Sequence, residues 1–77
     1  MSEATSYLVD ARYMEPPEPF ERTLEMLETL PPEAEMCLLL YREPHPLYRV
    51  LERNGHVWRT VLRDDGTFEI YIRQRER

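Results

Sequence analysis

The sequence predicts a two-layer α/β sandwich, in which two helices cover one face of a four-stranded mixed sheet. Two observations predict the first half of this fold. Two apolar stretches have the length of a strand, and each is followed by a proline-rich loop and then by an amphipathic stretch, the pattern of a β-α unit. A third predicts the second half, because two more strand-like segments are joined by a short loop that contains glycine. With right-handed crossovers, the order β-α-β-α-β-β places both helices on one side.

The first unit consists of a strand predicted over Tyr7–Ala11 and a helix predicted from about Pro17 to Thr29. Prolines suit the first turn of a helix, because they lack the amide hydrogen that this turn leaves unpaired. The apolar face of this helix has spacings of four, three and three residues. Its members are Phe20, Leu24, Leu27 and Leu30. The polar residues before the strand, Met1–Ser6, are expected to be disordered.

The second unit begins with Met36–Tyr41, a continuous apolar run that is typical of a central strand buried on both faces. Cys37 lies inside this run, and we interpret it as a small buried side chain rather than a reactive thiol. Prolines again lead into a helix, whose apolar stripe starts at Leu47. Asn54–Gly55 ends it, because glycine accepts the left-handed conformation that follows a helix.

The last two strands are predicted over His56–Arg63 and Thr67–Arg73, with a three-residue loop in which Gly66 is left-handed. This register places the three apolar residues of the last strand on one face of the sheet. The predicted pairs are Leu62 with Phe68, Thr60 with Ile70, and Trp58 with Ile72. The opposite face then carries arginines from both strands, and no predicted element covers it.

Composition limits the classes of function. The chain has 77 residues, enough for one domain over residues 1–77, and a net charge of −5. All its basic residues are arginines, so lysine chemistry is excluded, and an acidic chain makes nucleic-acid binding an unfavoured hypothesis.

The sequence has no apolar run long enough to span a membrane and no signal-like N-terminus. We therefore expect a cytoplasmic protein that does not bind membranes, and a single cysteine agrees with a reducing compartment.

Two proline motifs carry a resemblance to a known family. Val9-Asp10 followed by Pro17-Glu18-Pro19 resembles the strand end and Pro-x-Pro turn of the TusA/SirA sulfur carriers, with Pro16 in place of their sulfur-accepting cysteine. Glu15–Pro19 and the second motif, Glu43–Leu47, resemble the TusA-like domain-of-unknown-function family 2249 more closely. The resemblance implies strand order 1-2-4-3 with the last strand antiparallel to the others. It also implies a domain found in settings of redox or nitrogen-oxide metabolism, with an uncharacterised activity.

The two proline loops are the first candidate site. They follow parallel strands, so the two helix N-termini converge at the sheet edge where open α/β sheets bind ligands. The candidate ligand or partner residues are Glu15, Pro16, Pro17, Glu18, Pro19, Glu43, Pro44, His45 and Pro46. The acidic members are explained by helix electrostatics, although His45 with the nearby carboxylates leaves a small metal or ligand site as an alternative. We predict no catalytic residues, no metal and no cofactor.

The uncovered sheet face is the second candidate site. Its predicted partner-binding residues are Arg59, Arg63, Tyr71 and Arg73, a combination suited to a protein surface or a planar anion. The alternative is a solvated face on which Arg63 or Arg73 pairs with Glu69 across strands. A homodimer through this face is a further expectation.

These features favour a non-catalytic binding or interaction module with an unidentified protein partner or small ligand. Two alternatives remain open. One is a sulfur-relay protein that uses Cys37, and the other is a metal-binding or ligand-binding protein that uses the Glu43–His45 loop. An enzyme is the less favoured interpretation.

Overall fold

The six elements follow the predicted order. The structure is a computed structural model that describes residues 7–74, so Met1–Ser6, expected to be disordered, lie outside the described residues. The strands are β1 (Leu8–Asp10), β2 (Glu35–Leu40), β3 (Val57–Leu62) and β4 (Phe68–Arg73). The helices are α1 (Glu18–Thr29) and α2 (His45–Arg53).

The four strands form one sheet in the order β1-β2-β4-β3, as predicted. β1 and β2 are parallel, with Val9 opposite Leu38, and β4 is antiparallel to both of its neighbours. Because β1 and β2 are parallel, their carboxyl ends lie at the same edge of the sheet. The loops that lead to α1 and α2 therefore start side by side.

The predicted strand bounds differ by at most one residue from the observed ones. β1 is shorter than the predicted Tyr7–Ala11, although the backbone ladder continues past it. The amide of Cys37 donates to the carbonyl of Tyr7, and the amide of Ala11 donates to the carbonyl of Leu39, both at 2.9 Å. β2 begins at Glu35 and ends at Leu40, so the following tyrosine belongs to the loop.

The main core lies between the helices and one face of the sheet. Leu27 and Leu30 from the α1 side, and Leu47 and Leu51 from α2, are buried against the sheet. Their partners on the sheet are Val9, Met36, Leu38, Ile70 and Ile72. Since both helices pack on this face, the molecule is a flat slab of 34 × 33 × 18 Å, in agreement with the predicted two layers.

Helix α1 buries one residue that the apolar stripe does not include. The side chain of Thr23 has no exposed surface, and its hydroxyl donates to the carbonyl of Pro19 at 2.8 Å. A threonine is tolerated here because this local bond satisfies its only donor. The predicted members Phe20 and Leu24 are half-buried and pack against the core.

The β3–β4 hairpin has the predicted register. Trp58 lies opposite Ile72, Thr60 opposite Ile70, and Leu62 opposite Phe68. Gly66 has a φ of +90°, in the left-handed region that glycine adopts without strain. This register places the side chains of Arg59 and Tyr71 on the face of the sheet away from the helices.

Cys37 is buried, as predicted, but it is not part of the core between helices and sheet. It alternates with Met36 and Leu38, so its side chain points to the other face, which we call the open sheet face. There it is 7% exposed and Leu39 is 5% exposed. Since no described helix lies on that face, side chains of the sheet itself cover these two residues.

Among residues 7–74, no helix has the length and apolar character needed to cross a membrane.

Candidate functional site

The two proline loops line one cavity. The first proline loop (residues 11–17) joins β1 to α1, and the second proline loop (residues 41–44) joins β2 to α2. Between them lies a pocket of about 720 Å³, within the usual size range of small-molecule sites. Its walls consist of Ala11, Arg12, Met14, Glu15, Pro16, Pro17, Pro19, Phe20, Leu38, Leu40, Tyr41, Arg42, Glu43, Pro44, Pro46 and Leu47. The predicted convergence of the loops therefore produces a mostly apolar pocket.

The start of α1 offers few backbone donors to a ligand. Pro16, Pro17 and Pro19 have no amide hydrogen. The amide of Glu18 donates to the carbonyl of Glu15 at 2.9 Å. Anion sites at helix N-termini depend on free amides that point at the ligand, and most of those amides are missing or occupied here.

The start of α2 is similar. Pro46 has no amide hydrogen, the amide of His45 donates to the carbonyl of Glu43, and the amide of Leu47 donates to the carbonyl of Pro44, both at 3.0 Å. The usual phosphate-binding arrangement of an α/β fold is therefore disfavoured at both helices. The pocket is better suited to an apolar group.

The rim of the pocket carries both signs of charge. Asp10 holds Arg12 through two bonds, from Nε to Oδ1 at 2.9 Å and from Nη2 to Oδ2 at 2.8 Å. These bonds lower the pKa of Asp10 to about 2. Within residues 7–74, Arg42 and Glu15 make no ion pair. The rim therefore has no strong net charge of its own.

A hydrogen-bond chain anchors the second proline loop to the sheet. The hydroxyl of Tyr48 in α2 donates to Oε2 of Glu43 at 3.0 Å and lies 2.7 Å from the hydroxyl of Thr60 in β3. Because the single hydroxyl proton of the tyrosine goes to the carboxylate, the threonine is the donor of the second bond. The ring of Tyr48 stacks on Trp58 with centroids 5.1 Å apart. Burial is the main cause of a raised pKa of Tyr48, so this hydroxyl stays protonated at neutral pH.

His45 is exposed and does not line the pocket. Its Nε2 atom lies 3.6 Å from Oε1 of Glu43. Glu15 and Glu18 do not join this pair, and within the described part of the chain no group of three or more His, Cys, Asp or Glu side chains could hold a metal ion. The structure therefore gives no support to the metal-site alternative.

Two tyrosines at the pocket were not among the site residues predicted from the sequence. Tyr41 lines it, and Tyr13 meets Tyr41 edge to face, with ring centroids 5.9 Å apart and hydroxyl oxygens 3.3 Å apart. Tyr13 is 83% exposed. Both follow the end of a parallel strand, and that shared position is the sequence signal that could have identified them.

The predicted partner-binding face carries a network of its own. The Arg59 guanidinium lies 4.2 Å from the centroid of the Tyr71 ring. The Tyr71 hydroxyl donates to Oε1 of Glu69 at 2.7 Å, and Arg63 forms an ion pair with the same carboxylate. These bonds lower the pKa of Glu69 and raise the pKa of Tyr71 to about 12. The cross-strand pairing considered as an alternative is thus present for Arg63, and the role of this face in binding a partner stays a prediction.

Cys37 lies beneath the open sheet face, opposite Tyr71 in the register. Burial is the largest cause of the raised pKa of its thiol. Sulfur acceptors need an accessible thiolate, so both its burial and its pKa are unfavourable for a sulfur relay.

The fold and pocket define a class: a small α/β domain with a ligand-sized apolar pocket at the carboxyl edge of its parallel strands. Residues 8–74 match the model of a family described as "Uncharacterized conserved protein (DUF2249)". The chain belongs to this family. No curated protein and no solved structure matches the chain.

Proposed function

We propose that this chain is a non-catalytic binding module and that its ligand is an uncharged, ring-bearing group held in the pocket between the proline loops. The observation that carries the proposal is the pocket of about 720 Å³, to which both loops contribute. Pockets of this size with mostly apolar walls are the usual binding sites of small molecules.

The walls favour a flat apolar ring. Five proline rings line the pocket together with Phe20 and Tyr41. Proline and aromatic rings recognise each other in peptide-binding domains, and the same complementarity suits a ligand ring between proline walls. The small number of free amides at the helix starts disfavours a phosphate or nucleotide. The ring belongs to a small ligand or to a side chain of a partner protein.

The resemblance to TusA-like domains supports the same class of function. The observed strand order is the one that this resemblance implies, and the same resemblance puts Pro16 at the position of the sulfur carriers' cysteine. We propose that the domain is TusA-like and that its loop surface serves binding instead of sulfur transfer. A cytoplasmic location and a setting of redox or nitrogen-oxide metabolism are the corresponding proposals for its context.

Indole is a suitable probe for the pocket, with binding followed by amide shifts in NMR spectra. A fragment of about nine heavy atoms that gains roughly 0.45 kcal/mol per atom binds with a Kd of about 1 mM. We expect shifts at the amides of Ala11, Phe20 and Leu40, all of which line the pocket. Inorganic phosphate should shift none of them at the same concentration.

Two leucine substitutions distinguish binding in the pocket from non-specific binding of indole elsewhere on the protein. Leu40→Arg places a guanidinium in the pocket and should weaken indole binding by about tenfold or more, because a desolvated charge would replace an apolar wall. Leu62→Arg is the matched control, since Leu62 is 59% exposed and does not line the pocket. The proposal fails if both variants bind indole as the parent does, or if phosphate displaces it. Thermal unfolding of each variant verifies that it is folded.

A further inference from the structure

β3 is an edge strand whose outer side is unpaired, since β4 is its neighbour on the other side. The amide of Arg63 donates to the carbonyl of Thr67 at 2.8 Å, and these two residues continue the register of the hairpin. Bonded and non-bonded pairs alternate along an antiparallel ladder, so the amides and carbonyls of Trp58, Thr60 and Leu62 point away from β4. Within residues 7–74, no other backbone group bonds to them.

β3 lacks the features that usually protect a sheet edge. Protected edges are very short, contain proline or a bulge, or carry charges that point inward. β1, the opposite edge, has three residues, whereas β3 has six, none of them proline, and pairs with β4 in an unbroken register. Its charged residue, Arg59, lies over the ring of Tyr71 in β4 and therefore leans away from the edge. A further strand can be added at β3.

We infer that a second copy of the chain adds its own β3 to this edge, antiparallel, about a two-fold axis that is perpendicular to the sheet at Thr60. This axis pairs Thr60 with Thr60 of the second copy and Trp58 with Leu62. These are the residues whose backbone groups point outward, so each directly opposite pair exchanges two hydrogen bonds. The two sheets then form one continuous sheet, with the helices of both copies on the same side.

The side chains of β3 are complementary to those of their own copy in this register. On the face that carries the helices, Leu62 lies beside Trp58 of the second copy, and the axis repeats this contact. Leu62 is 59% exposed, the most exposed leucine among the described residues, and gains a large apolar neighbour. On the open sheet face, Arg59 lies beside Val61 of the second copy, where its stem packs on the valine while the guanidinium stays in solvent. One strand thus provides both halves of the contact, which favours a second copy over a foreign strand.

A shift of the axis by one residue brings arginines together. An axis at Arg59 places this residue directly opposite its own copy, and an axis at Val61 places Arg59 opposite Arg63. Like charges in directly opposite positions destabilise a strand pair. The axis at Thr60 avoids both arrangements.

A shift by two residues loses backbone pairs. An axis at Trp58 pairs Thr60 with His56, whose amide already donates to the carbonyl of Leu51 at 2.9 Å. An axis at Leu62 pairs Thr60 with a residue of the hairpin loop. The axis at Thr60 is the one that satisfies every outward group of β3.

The size of the contact predicts a weak dimer. Six residues of about 3.3 Å each form an edge about 20 Å long. One strand pair of this length buries less than the roughly 1,200 Å² of stable interfaces, so we expect dimers at about 1 mM and monomers on dilution. β3 does not line the pocket between the proline loops, so indole binding and dimerisation are separate measurements.

Fast exchange of amide hydrogens with water, measured by NMR, tests the register without any variant. In a sample that is about nine-tenths dimeric, the amides of Trp58, Thr60 and Leu62 should exchange about tenfold more slowly than in a dilute one, because the free monomer exposes them. The amides of Arg59 and Val61, which bond to β4, are the internal control and should show no fast exchange at either concentration. Dimerisation that leaves the three outward amides unchanged would refute this register.

Leu62→Glu tests the side-chain contact. It places a carboxylate beside Trp58 of the second copy in both symmetric contacts, and desolvation of the charge should weaken dimerisation by about tenfold or more. Leu8→Glu is the matched control, since Leu8 is 47% exposed on β1 at the opposite edge of the sheet, and this variant should dimerise as the parent does. Translational diffusion over a dilution series gives the dissociation constants, and thermal unfolding verifies that both variants are folded.

Two results would overturn the inference. One is a parent that stays monomeric at about 1 mM, which would leave this edge to a strand of another protein. The other is a dimer that Leu62→Glu weakens no more than Leu8→Glu does. Neither result affects the proposed pocket, because both variants leave its walls unchanged and should bind indole as the parent does.

Discussion

The hydroxyl of Tyr48 provides a sharp test of how the pocket is held together. Tyr48→Phe removes the donor to Glu43 and the acceptor for Thr60 while keeping the ring that stacks on Trp58. The second proline loop then loses its bond to α2 and its link to the sheet. The substitution leaves the packing volume almost unchanged, so the change in the free energy of unfolding measures the contribution of the two hydrogen bonds.

The expected loss follows from the two bonds. A hydrogen bond to a charged acceptor at an exposed site contributes about 1 kcal/mol, and a half-buried threonine hydroxyl left without a partner costs about as much again. We expect the free energy of unfolding to fall by about 1–2 kcal/mol. In a domain of this size that corresponds to roughly 4–15 °C in Tm. Urea unfolding followed by circular dichroism measures it.

Tyr13→Phe is the matched control, because the Tyr13 hydroxyl has one contact in the described structure, with Tyr41 at 3.3 Å, and lies in solvent. Its loss should stay within about 0.5 kcal/mol. A double-mutant cycle of Tyr48→Phe with Thr60→Val should show coupling, since the two hydroxyls form one bond. Equal losses in the two Tyr→Phe variants would refute the anchoring role of Tyr48.

Two further predictions concern Cys37 and the carboxylate of Asp10, which pairs with Arg12. Cys37 should react slowly with a thiol-alkylating reagent in the native protein and fully after denaturation, since it is buried with a raised pKa; rapid native labelling would reopen the sulfur-relay alternative. The bonds from Arg12 lower the pKa of Asp10 from 3.8 to about 2, so the stability they contribute is present above pH 4 and is lost as the pH falls through 2. Asp10→Asn should therefore be less stable than the parent above pH 4, and most of this difference should be gone at pH 2. A stability difference that does not change between pH 5 and pH 2 would contradict this assignment.

The sequence predicted the fold well because its signals were local. The prolines at positions 16, 17 and 19 indicated the start of α1 to within one residue. The three-residue hairpin loop was predicted because its register pairs Trp58 and Leu62 with the apolar residues of the last strand, and the observed register agrees. Periodicity and turn chemistry act over a few residues, so they can be read without the tertiary structure.

The features of the site that were missed depend on contacts between distant segments. The bond between Tyr48 and Thr60 spans two elements, and no spacing rule indicates it. The contact between Tyr13 and Tyr41 joins the two loops across the parallel strands. An apolar run predicts that Cys37 is buried but cannot predict which side of the sheet covers it, because a strand that is apolar on both faces has no distinguishable inner face.

The most direct test of the proposed binding function is the position of indole in the complex. Intermolecular nuclear Overhauser effects between indole protons and leucine methyl groups report it. We predict contacts to Leu40 and Leu47, which line the pocket, and none to Leu62 on β3 or to Leu8 on the open sheet face. Contacts to Leu8 without contacts to Leu40 would contradict the account, because the apolar ligand would then bind the sheet face and the pocket between the proline loops would not be the binding site.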